Sequence, residues 1–93
     1  MSTISKQSFY EGTIPTATND LKIELTGINT VRDIVIFNDS AGTLEFKINS
    51  TSFTAIKLLS SEDIVLEDVN VGVVYLSNNS GASINYRIIC LGK

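Results

Sequence analysis

The chain contains no histidine. That removes the side chain most used for general acid–base work and metal ligation, and with it the Ser-His-Asp and Cys-His constellations. The single cysteine, Cys90, has no neighbouring base in sequence and lies in the apolar run Ile88-Ile89-Cys90-Leu91. This is the setting of a buried strand cysteine, and one cysteine makes no internal disulfide. The six glycines are widely spaced, so no phosphate loop is formed. The acidic pairs Glu62-Asp63 and Glu67-Asp68 flank the short strand Ile64-Val65-Leu66. About 13–17 Å of extended chain separates them, whereas Ca²⁺ needs oxygens converging at about 2.3–2.6 Å. They read as solvated turn charges. Glycoside hydrolysis by paired carboxylates is disfavoured by the lack of tryptophan and the few aromatic rings. Sequons at Asn38, Asn49 and Asn78 are no more than the abundance of Asn, Ser and Thr generates. The residue inventory thus predicts a protein that is not an enzyme, with no catalytic, cofactor-binding or metal site.

Charge narrows the partners. The net charge is −3, the isoelectric point about 4.7, and the seven Lys and Arg are scattered singly. Nucleic acid needs clustered cations, so none is expected as a ligand. No apolar run of membrane-spanning length occurs, and Met1–Lys6 lacks the apolar core of a signal peptide. Synthesis in a cytoplasm, without secretion by the usual route, is expected.

The elements that must position these residues are strands. Ile and Val are abundant, Ser, Thr and Asn are frequent, and Ala, Gln and Met are scarce among the 93 residues, which favours strands and turns over helices. Apolar and polar residues alternate in Leu21–Leu25, Leu44–Ile48 and Ser83–Leu91, and further strands are expected at Val31–Phe37, Phe53–Leu59, Ile64–Val69 and Val71–Leu76. No stretch shows a helical stripe. Short strands at regular spacing predict an all-β fold, a small antiparallel β-sandwich or jelly roll of about seven to eight strands. Residues 1–20 hold the only proline, Pro15, and no sustained period. They are expected to form an extended N-terminal arm, with at most one short strand at Gln7–Tyr10, ahead of a sandwich domain at 21–93. An arm carrying Ile4, Phe9, Tyr10 and Ile14 has apolar area to dock on a neighbouring subunit.

One repeat is visible at an offset of 40. Asn38-Asp39-Ser40-Ala41-Gly42-Thr43-Leu44-Glu45-Phe46-Lys47-Ile48 aligns without gaps to Asn78-Asn79-Ser80-Gly81-Ala82-Ser83-Ile84-Asn85-Tyr86-Arg87-Ile88. Only the Gly-Ala order is reversed. Each copy follows an apolar strand, which suggests two equivalent β-hairpins with an inner aromatic (Phe46, Tyr86) and an outward cation (Lys47, Arg87).

Several strands are apolar on both faces. Val31, Val35 and Phe37 oppose Ile34 and Ile36; Val71, Val73 and Tyr75 oppose Val74 and Leu76; Ile88–Leu91 has no polar face. A two-layer sandwich covers one face of each sheet, so a second cover is needed. In a domain of this size, self-assembly is a natural source of it. The expected interface residues are Phe9, Tyr10, Ile14, Ile34, Ile36, Val74, Leu76, Ile89 and Leu91.

The segment from Val31 to Gly92 resembles small β-sandwich virion proteins of tailed bacteriophages. The resemblance is carried by Phe37-Asn38-Asp39, the alternating strand Thr43–Ile48, the stretch Ser61–Glu67, the strand Val74–Leu76 and the closing Tyr86–Gly92. It implies a structural, non-enzymatic virion protein made in the host bacterial cytoplasm. A capsid decoration or cement protein comes first, with a tail, neck or head-fibre component as the alternative. It also implies a homo-oligomer, with a trimer favoured, and the major capsid protein or other virion proteins as partners. A carbohydrate-binding or adhesion module would share the fold.

Overall fold

The computed structural model describes residues 6–28 and 30–93. Eight strands follow one another: β1 (Lys6–Ile14), β2 (Thr18–Glu24), β3 (Val31–Asn38), β4 (Leu44–Ile48), β5 (Ile56–Leu58), β6 (Asp63–Leu66), β7 (Val73–Asn78) and β8 (Ile84–Gly92). They form two four-stranded antiparallel sheets, in the orders β1-β8-β3-β6 and β2-β7-β4-β5. The all-β sandwich expected from the alternation is present, and its connections are those of a jelly roll.

Residues 6–20 are no extended arm. β1 pairs with β8 over nine consecutive positions, from Lys6↔Gly92 to Ile14↔Ile84, and β2 begins at Thr18. The alternation of β1 is masked by small polar residues on its inner face, Ser8 and Gly12, so only Tyr10 and Ile14 mark that face as apolar. Ile4 lies outside the described residues. The expected strand at 53–59 contracts to Ile56–Leu58, and Phe53 is exposed beyond its end.

The repeat is real, but it does not make hairpins. β3 belongs to the first sheet and β4 to the second, and β7 returns to β8 in the opposite sense. Counting four strands onward converts the order of the first sheet into that of the second read backwards, so the fold has an internal pseudo-two-fold axis. The 40-residue offset superimposes Asn38 on Asn78, Leu44 on Ile84 and Phe46 on Tyr86.

The two asparagines hold the crossings. Asn38 is 1% and Asn78 0% exposed. Asn38 Nδ2 donates to the carbonyls of Gly42 (2.7 Å), Leu58 (3.0 Å) and Leu59 (3.1 Å), and its Oδ1 accepts from Ser40 N (3.0 Å). Asn78 Nδ2 donates to Ala82 O (2.8 Å) and Ile14 O (2.9 Å), and its Oδ1 accepts from Ser80 N (2.9 Å). Each side chain closes its own turn and ties it to the end of another strand, β5, two strands later, for Asn38 and β1, six strands earlier, for Asn78. The reversed Gly-Ala order also has a cause. A Cβ on Gly42 would stand 2.6 Å from Ser80 Oγ, so the first turn has no room for one where the two turns meet. Because both amides are buried and bonded, Asn38 and Asn78 are closed to glycosylation in the folded chain.

Between the sheets lie Ile14, Ile34, Ile36, Leu44, Phe46, Val74, Leu76, Ile84, Ile88 and Cys90, each at most 1% exposed. Tyr86 joins them at 7%, so both repeat aromatics are internal.

Replacing Asn38 or Asn78 with Ala strands carbonyls of two chain segments in a buried place. Each variant should lose about 3 kcal/mol in urea unfolding, since each unsatisfied buried group costs about 1–3 kcal/mol. A loss below about 1 kcal/mol would show that the crossings do not rely on them.

Candidate functional site

The two outer faces of the sandwich differ. On the second sheet Lys22, Tyr75 and Lys47 are aligned across β2, β7 and β4, and Glu45 faces Lys57. Lys22 meets Glu24 (3.0 Å) and Lys47 meets Asp20 (3.1 Å). This is a face of mixed charge suited to water.

On the first sheet an apolar row crosses all four strands. Phe9 pairs with Ile89, Ile89 with Val35, and Val35 with Val65. Phe9 is 53% and Val65 52% exposed, while Ile89 and Val35 are half-buried between them. The next row is Glu11, Arg87, Phe37 and Asp63. The Arg87 guanidinium lies 4.2 Å from the Phe37 ring centre, a cation–π contact. It grips Asp39 through Nε (2.6 Å) and Nη2 (3.0 Å). That fork holds the Asp39 carboxyl below its ordinary pKa and raises that of Arg87, with Glu11 and Asp63 adding to the latter. On the far side of the apolar row, Gln7 pairs with Leu91 and Leu91 with Asp33. The face is therefore an apolar stripe bordered by Glu11, Asp33, Asp39 and Asp63, with Arg87 the cation among them. Two depressions lie on it, one lined by Gln7, Ser8, Phe9 and Ile89 and one by Glu11, Thr13, Asp39, Asn85 and Arg87 among others.

The expected interface residues divide on this geometry. Phe9, Ile89 and Leu91 lie on the outer face of the first sheet. Ile14, Ile34, Ile36, Val74 and Leu76 are completely buried between the sheets of their own chain, so no partner reaches them. Tyr10 faces inward opposite Ile88, its hydroxyl donating to Thr26 O (2.9 Å). β3 and β7 are apolar on both faces, but the face expected outside, Ile34 and Ile36 on β3 and Val74 and Leu76 on β7, is the one in the core. Val35, Val65 and Phe37 were missed. The signal was available: Asn38 must turn inward to fill its crossing, and a period of two then places Ile36 and Ile34 inside and Phe37 and Val35 outside.

The acidic pairs do not converge. Glu62 Oε1 accepts from Leu59 N (2.6 Å) at its own turn, and Asp68 is bridged by Arg32. Among the described residues no three His, Cys, Asp or Glu side chains form a metal-holding group. Cys90 is 0% exposed, and burial pushes its thiol pKa from 9.0 to about 11, the opposite of an activated nucleophile.

No protein-family model matches the chain, and no curated protein matches it in sequence. Among solved structures it is similar to a de novo designed double-stranded β-helix, at 20% identity over 87% of this chain and 95% of that one, with a TM-score of 0.54. It is also similar to a cupin-2 domain containing protein from Shewanella frigidimarina, at 15% identity over 95% of this chain and 72% of that one, again with a TM-score of 0.54. The fold is a double-stranded β-helix. At such identities the likeness concerns the fold alone, and one jelly-roll frame serves many functions.

Cys90 gives this description a chemical test. Its thiol should resist iodoacetamide at pH 8 in the folded chain and react at once in urea. Because the unfolded thiol ionises near 9.0 and the folded one near 11, stability should hold below pH 9 and decline between pH 9 and 11. Labelling of the native chain at the unfolded rate would contradict the burial.

Proposed function

We propose that the chain is a non-enzymatic structural protein of a tailed-phage virion, most simply a capsid decoration or cement protein. It acts through the outer face of its first sheet. The observation that carries the reading is the row Phe9–Ile89–Val35–Val65. Four apolar side chains in register on a solvent face are an interaction surface. Their row is placed by the same strands whose inner faces seal the core. The acid border of Glu11, Asp33, Asp39 and Asp63 favours a partner with an apolar ridge and flanking Lys or Arg, and it disfavours face-to-face packing of two copies. The virion setting rests on the resemblance of Val31–Gly92 to phage sandwich proteins. An interior filled by aliphatic and aromatic side chains supports a structural rather than a catalytic role.

The test is binding to phage heads. Val35→Asp keeps the inner face intact and places a carboxylate in the middle of the stripe. It should retain the strand signature in circular dichroism and bind purified heads at least tenfold more weakly, in line with about 1.5–3 kcal/mol per buried aliphatic side chain. Ile36→Asp, one residue on, should fail to fold. Val35→Asp binding heads as the unaltered chain does, or absence of the chain from purified particles, would overturn the proposal.

A further inference from the structure

A sandwich of two open sheets has four edge strands, and each exposes unpaired backbone groups that invite another chain. Here three are protected. β5 is three residues long and β6 four. β2 has a break in register between Thr18 and Leu21, with Asp20 in the left-handed region at φ 53° and the ion pair of Lys22 and Glu24 on its outer side. β1 has none of these devices. It is nine residues long, its register with β8 is unbroken, and it contains no proline and no positive φ. Its only cation, Lys6, stands at its start. Among the described residues nothing pairs with its outer edge.

The apolar row also ends on this edge, at Phe9. A 53% exposed phenylalanine at the rim of a sheet lacks one lateral neighbour.

We infer that β1 is a self-association edge: two copies join antiparallel through β1 about a two-fold axis at Phe9, making one continuous eight-stranded sheet. The occupant is a second copy because β1 complements itself in this register. Phe9 meets Phe9 across the axis. Gln7 meets Glu11, so an amide donor faces a carboxylate. Ser8 meets Tyr10, and Lys6 meets Gly12. No like charges stand opposite each other. A two-fold axis normal to the sheet presents the same outer face from both copies, so the two apolar rows merge into one of twice the length. The contact uses the strand edge and leaves the face free, so it stands whether or not that face binds a capsid. The trimer that the phage resemblance implies has no such edge-to-edge two-fold, and the structure points to a dimer.

The register makes a sharp test. Gln7→Cys and Glu11→Cys variants are prepared separately and treated with a bis-maleimide spanning about 8 Å, alone and mixed. Residues 7 and 11 of opposite copies are direct neighbours, whereas 7 and 7, or 11 and 11, are about 13 Å apart. The mixture should cross-link at least tenfold faster than either variant alone. Light scattering of the unaltered chain should give twice the 10.1 kDa chain mass, and Phe9→Lys should shift it toward the monomer with circular dichroism unchanged. Cross-linking that does not depend on mixing, a chain that remains monomeric at millimolar concentration, or a trimer would each overturn the inference.

Discussion

The fold depends on where two asparagine side chains go. A jelly roll must carry its chain repeatedly from one sheet to the other, and each crossing leaves backbone carbonyls at the ends of buried strands that neither sheet satisfies. Asn38 and Asn78 meet this need from inside. Their amides bridge the crossing turn to the end of another strand, Leu58 and Leu59 in one case and Ile14 in the other. The chain uses the same device twice, on each side of the pseudo-two-fold, and this explains why an eleven-residue pattern recurs where no hairpin exists.

That constraint propagates outward. Once Asn38 faces in, the period of two along β3 fixes Ile36 and Ile34 in the core and Phe37 and Val35 outside. The partners of β3 follow, with Ile88 and Cys90 inside and Ile89 outside. The centre of the first sheet is thus apolar on both sides. The second sheet, whose β4 carries Glu45 and Lys47 outward, is not. The asymmetry of the two outer faces is a property of this sequence laid on a nearly symmetric frame, and the functional reading rests on it.

Much of this was legible beforehand. The all-β class followed from composition and alternation, the repeat from direct inspection, and the buried fate of Cys90 from its neighbours. Three things were not. β1 was hidden because Ser8 and Gly12 occupy inner positions and interrupt the apolar pattern; at Gly12 the Tyr86 ring leaves no room for a side chain, since a Cβ there would lie 2.9 Å from the Tyr86 hydroxyl. The crossings looked like hairpins because local turn residues do not reveal which sheet the next strand joins. The faces of β3 and β7 were exchanged because aliphatic residues on both sides erase the contrast on which face assignment depends. Asn38 and Asn78 hold the missing information, because a buried asparagine at the end of each strand fixes which face turns inward.

The most direct measurement is the accessibility of single cysteines along β3. In a Cys90→Ser background, cysteine is placed in turn at positions 34, 35, 36 and 37 and exposed to a maleimide under native conditions. The inward anchoring of Asn38 predicts fast labelling at 35 and 37, with 34 and 36 protected until the chain is unfolded. Equal rates along the strand, or protection at 35 and 37 with labelling at 34 and 36, would contradict it.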